Sequence, residues 1–452
     1  MLLIDDAIVV TMNDDHDVFF DGAVAIDGDR IVAVGTSDDV RARVPEGSKV
    51  LDAQGGAVMP GLVDLHYHTA LGRGWADHLP LAENLQRFWY PLVRAIDPEA
   101  VYWGALLSYA ESIRFGVTAV NDMYRHIDAM AKAAGEIGVR AVLSNVVADE
   151  EHGLDTLASN EAGFRSSNGA ANGRVEVKVG IEWLPLASMG LLRDASALAA
   201  DLGTGVHIHL NESMGEVQSS LEKFGRRPTE VAYECGLLGS ETIAAHAVWL
   251  SDTEIGLMRD TGTQISHNPT SNAKLGTGVA RLLDYRAAGI NVGLGHDSVE
   301  GVNSSDMFQV MQFASLVQRA VRMDAELLGA ADLLTMATRN GSAALGHDAG
   351  VLAEGKKADL IVIDLDDPSF TPLVRGNRNQ LYAHLAFAAQ GRAVRTVVID
   401  GAVVMDDRTL LTVDVAEVEA KATEAFVRVL AAAGVDDEIA AGAPTTHGIG
   451  TP

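Results

Sequence analysis

Between residues 62 and 297 the chain alternates eight times between short apolar segments and longer amphipathic ones. The short segments are LVDLHYH (62–68), VTAVNDM (117–123), RAVLSNVV (140–147), VEVKVGIEW (175–183), GVHIHLNE (205–212), TIAAHAVW (242–249), TQISHN (263–268) and INVGLGHD (290–297). Their length and branched apolar content suit strands buried on both faces. Between them, PEAVYWGALLSYAESIRFG, HIDAMAKAAGEIG and DASALAADLG have helical spacing. Glycine stands just ahead of a strand in FGVTAV, IGVRAV and AGINVG, where a helix would stop. Parallel strands need helical crossovers, and eight such units close into a (β/α)8 barrel. The expected fold class is therefore α/β, with the barrel over residues 58–349.

The two ends of the chain have another texture. LLIDDAIVVTM, GAVAIDGDRIVAVG and SKVLDAQGGAVM at the start, and ADLIVIDL (358–365) and AVRTVVIDGAVVMDD (393–407) near the end, are strand-like runs broken by Asp-Gly, Gly-Asp and Gly-Gly turns. Segments far apart in sequence can share a sheet. Residues 1–57 and 350–410 are expected to form one small, discontinuous β-sandwich domain. Residues 411–452 then supply a C-terminal amphipathic helix, VAEVEAKATEAFVRVLAAAG, and a loose tail, GAPTTHGIGTP.

Composition narrows the function. The 452 residues carry 34 Lys+Arg against 62 Asp+Glu, a formal charge of −28. Nucleic acid and anionic membrane repel such a surface and are not expected partners. The single cysteine, Cys235, excludes an internal disulfide and a cysteine-rich metal site. No apolar run reaches the ~18 residues of a membrane span. The opening MLLIDDAIVV has acid where a secretory signal needs base, so a cytoplasmic location is expected.

In a barrel the carboxyl ends of the strands line the active site. The first strand ends in His66-Tyr67-His68, and alternation points both imidazoles the same way. The fifth ends in His207-Ile208-His209, with Glu212 three residues beyond. The sixth carries His246, the seventh ends in His267-Asn268, and the eighth ends in His296-Asp297-Ser298. Neutral nitrogen donors and a carboxylate converging from separate strands make a site for Zn(II) or Fe(II).

PGLVDLHYH, HLNES, TIAAHAVWL, SHNPTSNAKLGTGV, NVGLGHDS and the late KKADLIVID together resemble the amidohydrolase superfamily. The likeness covers nearly the whole chain. It is greatest to the branch of methylthioadenosine/S-adenosylhomocysteine deaminases and chlorohydrolases. The resemblance implies one divalent metal ion, Zn(II) or alternatively Fe(II), on His66, His68, His209 and Asp297. It makes Asp297 also the proton shuttle, Glu212 the acid/base at a ring nitrogen, and His246 the contact to the attacking water or its oxyanion. His207 is then a neighbour that faces the wall or packs. Lys178, well before the end of its strand, is taken as structural, not as a bridge between two metals. The implied reaction is deamination of an amino-substituted N-heterocycle of purine, pterin, pyrimidine or triazine type. The alternatives are hydrolysis of a chloro- or alkylamino-triazine or a cyclic amide, or a non-catalytic scaffold. By analogy a homo-oligomer is expected.

Two places depart from the pattern. Deaminases of this branch place a histidine after the fourth strand, in a Pro-His loop, to contact the purine. This chain reads GIEWLPLASMG there, with Trp183 or Leu184 at the spot. LAENLQRFWYPL stands where those enzymes carry an acid and a tryptophan near the sugar. The departures favour a flatter heterocycle, with Trp183 and Phe88 as stacking surfaces. The Trp and Tyr of FWYPL are further candidates for the pocket wall. Asn268, Asn272 and Lys274 of the loop after the seventh strand are candidates to shape the pocket.

Overall fold

The computed structural model describes residues 1–69, 71–435 and 439. Its centre is a set of parallel strands at the expected places. They are β1 (Leu62–His68), β2 (Val117–Met123), β3 (Arg140–Ser144), β5 (Val206–Leu210), β6 (Ile243–His246) and β7 (Gln264–His267), with β4 and β8 each in two segments. β4 runs over Val175–Val177 and Val179–Ile181, and β8 over Val292–Leu294 and Asp297–Ser298.

Pairing is parallel throughout and follows chain order. One arc holds the last segment of β8, then β1, β2, β3 and the first segment of β4. The other holds the second segment of β4, then β5, β6, β7 and the first segment of β8. The two arcs thus meet at β4 and β8, each of which contributes one segment to either arc.

The break in β8 has a side-chain cause. His296 donates its backbone N–H to Asp64 Oδ1 at 3.0 Å instead of to a neighbouring strand. β6 stops at His246 because His246 (φ 73°) and Ala247 (φ 48°) leave the extended region, so the strand expected to reach Trp249 ends three residues earlier. Gly295 sits where the strands crowd: a Cβ there would lie 2.8 Å from the His66 nitrogen and 2.6 Å from Asn268 Oδ1. Only glycine fits.

The strand-like runs of both chain ends share one nine-stranded sheet. The two ends join where Leu360–Ile363 pairs antiparallel with Ala57–Pro60, Ile361 opposite Met59. Gly61 follows at once and leads into β1. A Cβ at Gly61 would clash with Thr118 at 2.2 Å, so the sheet can pass this close to β2 only at a glycine.

Charge is buried where the terminal sheet meets the start of β3. Arg140 donates to both carboxylate oxygens of Asp359 at 2.9 and 3.1 Å and to Asp400 at 2.9 Å. Lys357 binds Asp400 at 3.0 Å and also Asp29.

The C-terminal helix forms as Val415–Ala433, capped by Asp414 and ended by Gly434 in the left-handed region. Val418, Ala422, Ala425 and Val429 face inward at helical spacing and pack against helix Pro98–Arg114. The tail 442–452 lies outside the described residues. Among the described residues no helix is long and apolar enough to cross a membrane.

Candidate active site

β1 delivers His66 and His68, β5 delivers His209, and β8 delivers Asp297, all buried at the carboxyl ends of their strands. His68 Nε2 lies 3.1 Å from His209 Nε2. Asp297 Oδ1 lies 3.4 Å from His68 Nε2 and 3.8 Å from His66 Nε2. The donor atoms of His66, His68 and His209 all fall within 4.8 Å of one another, and so do those of His66, His246 and Asp297.

The outer ring nitrogens of His66 and His68 are both hydrogen-bonded. His68 Nδ1 donates to the Met123 carbonyl at 2.6 Å. His66 Nδ1 lies 2.9 Å from His207 Nε2, and His207 Nδ1 lies 3.2 Å from Ser144 Oγ. Donation from His66 to His207 to Ser144 is the direction of that chain that turns the lone pair of His66 Nε2 inward, as metal ligation requires. Burial, reinforced by the neighbouring histidines, holds His66 and His209 well below the usual imidazole range; burial also lowers His68. His66 Nε2 is buried with no hydrogen-bond partner. Three neutral imidazoles and one carboxylate are the donor set of a divalent metal, and the cluster fits one.

Asp297 stands in a left-handed conformation (φ 83°) that a non-glycine residue adopts only when its surroundings impose it. The surroundings are clear. Asp64 grips the preceding residue through both its backbone N–H and His296 Nδ1, at 3.0 and 2.5 Å. Ser271 Oγ donates to Asp297 Oδ2 at 2.5 Å. His246 is strained in the same way and faces Glu212 Oε1 at 3.8 Å and Asp297 Oδ2 at 3.9 Å through Nε2. Its Nδ1 donates to Asn272 Oδ1 at 2.9 Å. Burial, with Asp297 nearby, pushes the Glu212 carboxyl well above its ordinary range.

Behind Glu212 lies Glu216, which sequence reasoning missed. It accepts the backbone N–H groups of Asn211 and Glu212 at 2.9 and 2.7 Å and so fixes the turn that aims Glu212. The signal was present as a second acid four residues on, at the start of helix Met214–Phe224.

These groups floor a narrow inner pocket walled by Leu81, Asn84, Leu85, Trp89, Trp183 and Leu275. No Lys or Arg is among the described residues lining it. Leu81, Leu85, Trp183 and Leu275 also line an outer chamber of about 710 Å³, which extends over Tyr90, Leu186, Met214 and Trp249.

Trp183 therefore stands at the expected place, between the two spaces. Phe88 does not. It is fully buried behind the wall and stacks on Trp75 at 6.1 Å, because residues 85–89 wind as one π-helical turn that turns Trp89 inward instead. Asn268 is also outside the lining: its amide contacts His246 Nδ1 at 3.3 Å and Ser266 Oγ at 2.8 Å. Lys274 is paired with Asp77. His267 is buried with both ring nitrogens unpartnered, and burial pushes it down to about 3. Lys178 points to the opposite end of the strands, on the Glu241 carbonyl at 2.9 Å.

The spot after β4 holds a surprise. Glu182 reaches the inner pocket beside His68, His209 and Glu212, together with Trp183, while Leu184 does not. Burial and then Glu212 push its carboxyl up to about 8. An acid in an otherwise apolar strand end was the only sequence signal.

A buried cluster of three histidines and an aspartate at the mouth of parallel strands, with a second acid and a fourth histidine facing the same space, defines a metal-dependent hydrolase. The model of the amidohydrolase family matches residues 57–404, and the chain belongs to that family. A 5-methylthioadenosine/S-adenosylhomocysteine deaminase of Acetivibrio thermocellus is 36% identical over 434 residues, 95% of this chain and 99% of that one. A 5'-deoxyadenosine deaminase of Methanosarcina mazei is 36% identical over 434 residues, 94% of this chain and 98% of that one. Among solved structures, an adenosine deaminase from Xanthomonas campestris with bound zinc superposes at a TM-score of 0.88 and 31% identity, over 95% and 98% of the two chains. The zinc complex of atrazine chlorohydrolase TrzN from Arthrobacter aurescens TC1 reaches 0.84 at 24% identity, over 94% and 100%, and shares the fold.

Proposed function

We propose that this chain is a zinc-dependent aminohydrolase that removes the exocyclic amino group of an adenosine-type purine nucleoside. The observation that carries the reading is the near full-length likeness to nucleoside deaminases, joined to a His-His-His-Asp cluster that faces two further acids in one pocket. The outer chamber supports a nucleoside over a bare base, since it offers room beyond the inner pocket for a sugar and an apolar 5' substituent. The flatter heterocycles suggested by the missing Pro-His are set aside for that reason.

His66, His68, His209 and Asp297 would hold the metal, which when bound makes water acidic enough to lose a proton near neutral pH. Asp297 takes that proton and later returns it to the departing amine. Glu212 protonates the ring nitrogen beside the attacked carbon, which draws electrons away from that carbon. His246, oriented by Asn272, stabilises the oxygen as the tetrahedral state forms. Ser271 keeps Asp297 oriented while the proton moves.

In the same reading the two strand arcs make up one (β/α)8 barrel over residues 58–349, because the chain itself bridges them at β4 and β8. Residues 1–57 and 350–410 would form the companion β-sandwich domain. The test is incubation of zinc-loaded protein with 5'-deoxyadenosine and 5-methylthioadenosine. Release of ammonia with conversion of the adenine chromophore to hypoxanthine supports the reading; no ammonia from either nucleoside refutes it.

A further inference from the structure

We propose that a second cavity, apart from the catalytic pocket, binds a small organic anion: a carboxylate on an apolar body, held by Arg408 and Arg114. The inference does not depend on the nucleoside reading above.

The cavity has a volume of about 420 Å³, within the range of small-molecule sites. It shares no described lining residue with the inner pocket or the outer chamber. It lies where helix Pro98–Arg114 and the C-terminal helix meet the stretches that follow β1 and β8. Leu107, Ala110, Glu111 and Arg114 recur at helical spacing, so one face of the first helix makes a wall. Phe115, Val415, Leu71 and Val299 extend its apolar part. Leu71 comes three residues after His68 and Val299 two after Asp297. An occupant thus touches the chain just beyond two candidate metal ligands.

Charge says what the occupant carries. Three arginines line this one space in a chain with 34 basic against 62 acidic residues. Arg73 is paired with Glu111. Arg114 and Arg408 form no ion pair among the described residues. Of the two acids in the lining, Glu111 is taken by Arg73 and Ser305, and Glu419 is exposed and pairs with neither arginine.

Arg408 is half-buried, and its Nη1 is caged by the carbonyls of Gly391, Arg392 and Val394 at 3.1, 2.7 and 2.8 Å. The cage fixes the plane of the guanidinium. Its Nε and Nη2 have no partner among the described residues. That edge carries two parallel N–H groups, which match the two oxygens of a carboxylate. Burial, and then the charge of Arg114 nearby, hold the Arg408 guanidinium below its ordinary range. An anion relieves both. A bare inorganic ion would leave the apolar wall unused, so the fitting ligand carries both parts.

The experiment is isothermal titration of the zinc-loaded protein with 3-phenylpropionate, its neutral amide and inorganic phosphate. The carboxylate is expected to bind at one site per chain. It should bind at least about tenfold more tightly than the amide, which lacks the charge, and than phosphate, which lacks the apolar body. Arg114→Gln has no ion pair to lose and should melt as the wild type does, yet bind the carboxylate about tenfold more weakly. Arg408→Lys keeps the charge without the fork and should weaken binding by a similar factor, with a thermal melt to check its fold. Stripping the zinc should change the affinity by at most about twofold, whereas a carboxylate seated on the metal would be lost.

No binding of the carboxylate, an amide or phosphate that binds equally well, unchanged affinity in Arg114→Gln, or binding that disappears with the zinc would each overturn the assignment. None of these readouts uses turnover. A wild type that releases no ammonia from any nucleoside would overturn the functional reading and leave this test standing.

Discussion

At the amino-terminal end of the parallel strands, Arg140 lies between Asp359 and Asp400, Lys357 closes the set, and Lys178 rests on a carbonyl. At the carboxyl end, three buried histidines and three buried acids line one pocket with no Lys or Arg among its described lining residues, and His66 is buried beside them. Both ends bury many ionisable groups. The first end pairs its charges among themselves, and Arg140 and Asp359 are 5% and 3% exposed with matched geometry. The second leaves His66 Nε2, His246 Nε2 and Glu182 Oε2 without partners. Burial alone therefore does not mark a functional site. Unpaired polar atoms aimed at a shared space do, because folding accepts their desolvation only where something else completes them.

The contrast can be broken by substitution. Asp297→Asn keeps the shape but removes the base and a ligand charge. It should lower ammonia release by on the order of 10³-fold or more, and normal turnover in that variant would remove Asp297 from the chemistry. Glu212→Gln should cost about 10²–10⁴-fold in kcat with a much smaller change in zinc content, measured by steady-state kinetics and metal analysis. At the other end, Arg140→Met strands Asp359 and should cost about 3–5 kcal/mol in denaturant unfolding, with the KM of the remaining folded enzyme unchanged. A shifted KM would mean that the two ends are coupled.

His207→Phe sharpens the comparison, since His207 touches no pocket but orients His66. Zinc affinity should fall about 10–100-fold in chelator competition. The smallest effect belongs to Lys178→Met, which should leave turnover and the single equivalent of zinc intact. A fall in bound metal there would revive a second metal site.

Much of this was legible in the sequence, because the barrel pattern and the ligands obey local rules. Short apolar runs between stretches of helical spacing placed all eight strands, and HxH at a strand end told which way two imidazoles point. What sequence could not give was long-range. Glu182 lies in GIEW, and only the packing of β4 against β5 decides that the acid lines the inner pocket together with Trp183. Phe88 and Trp89 are adjacent, and the π-helical turn that chooses between them is a packing outcome. Asp64 and His296 are 232 residues apart, and nothing local announces that one grips the other. His207, read as a packing neighbour, proved to be a link in the hydrogen-bond chain behind His66.

The proposed function requires that one metal ion on the histidine–aspartate cluster supports nucleoside deamination. It is tested most directly by stripping the protein with a chelator and titrating zinc back while following ammonia release from 5'-deoxyadenosine. No turnover is expected in the stripped protein, with full recovery at one equivalent of zinc per chain. Turnover that survives stripping, or zinc-loaded protein that releases no ammonia, would contradict it.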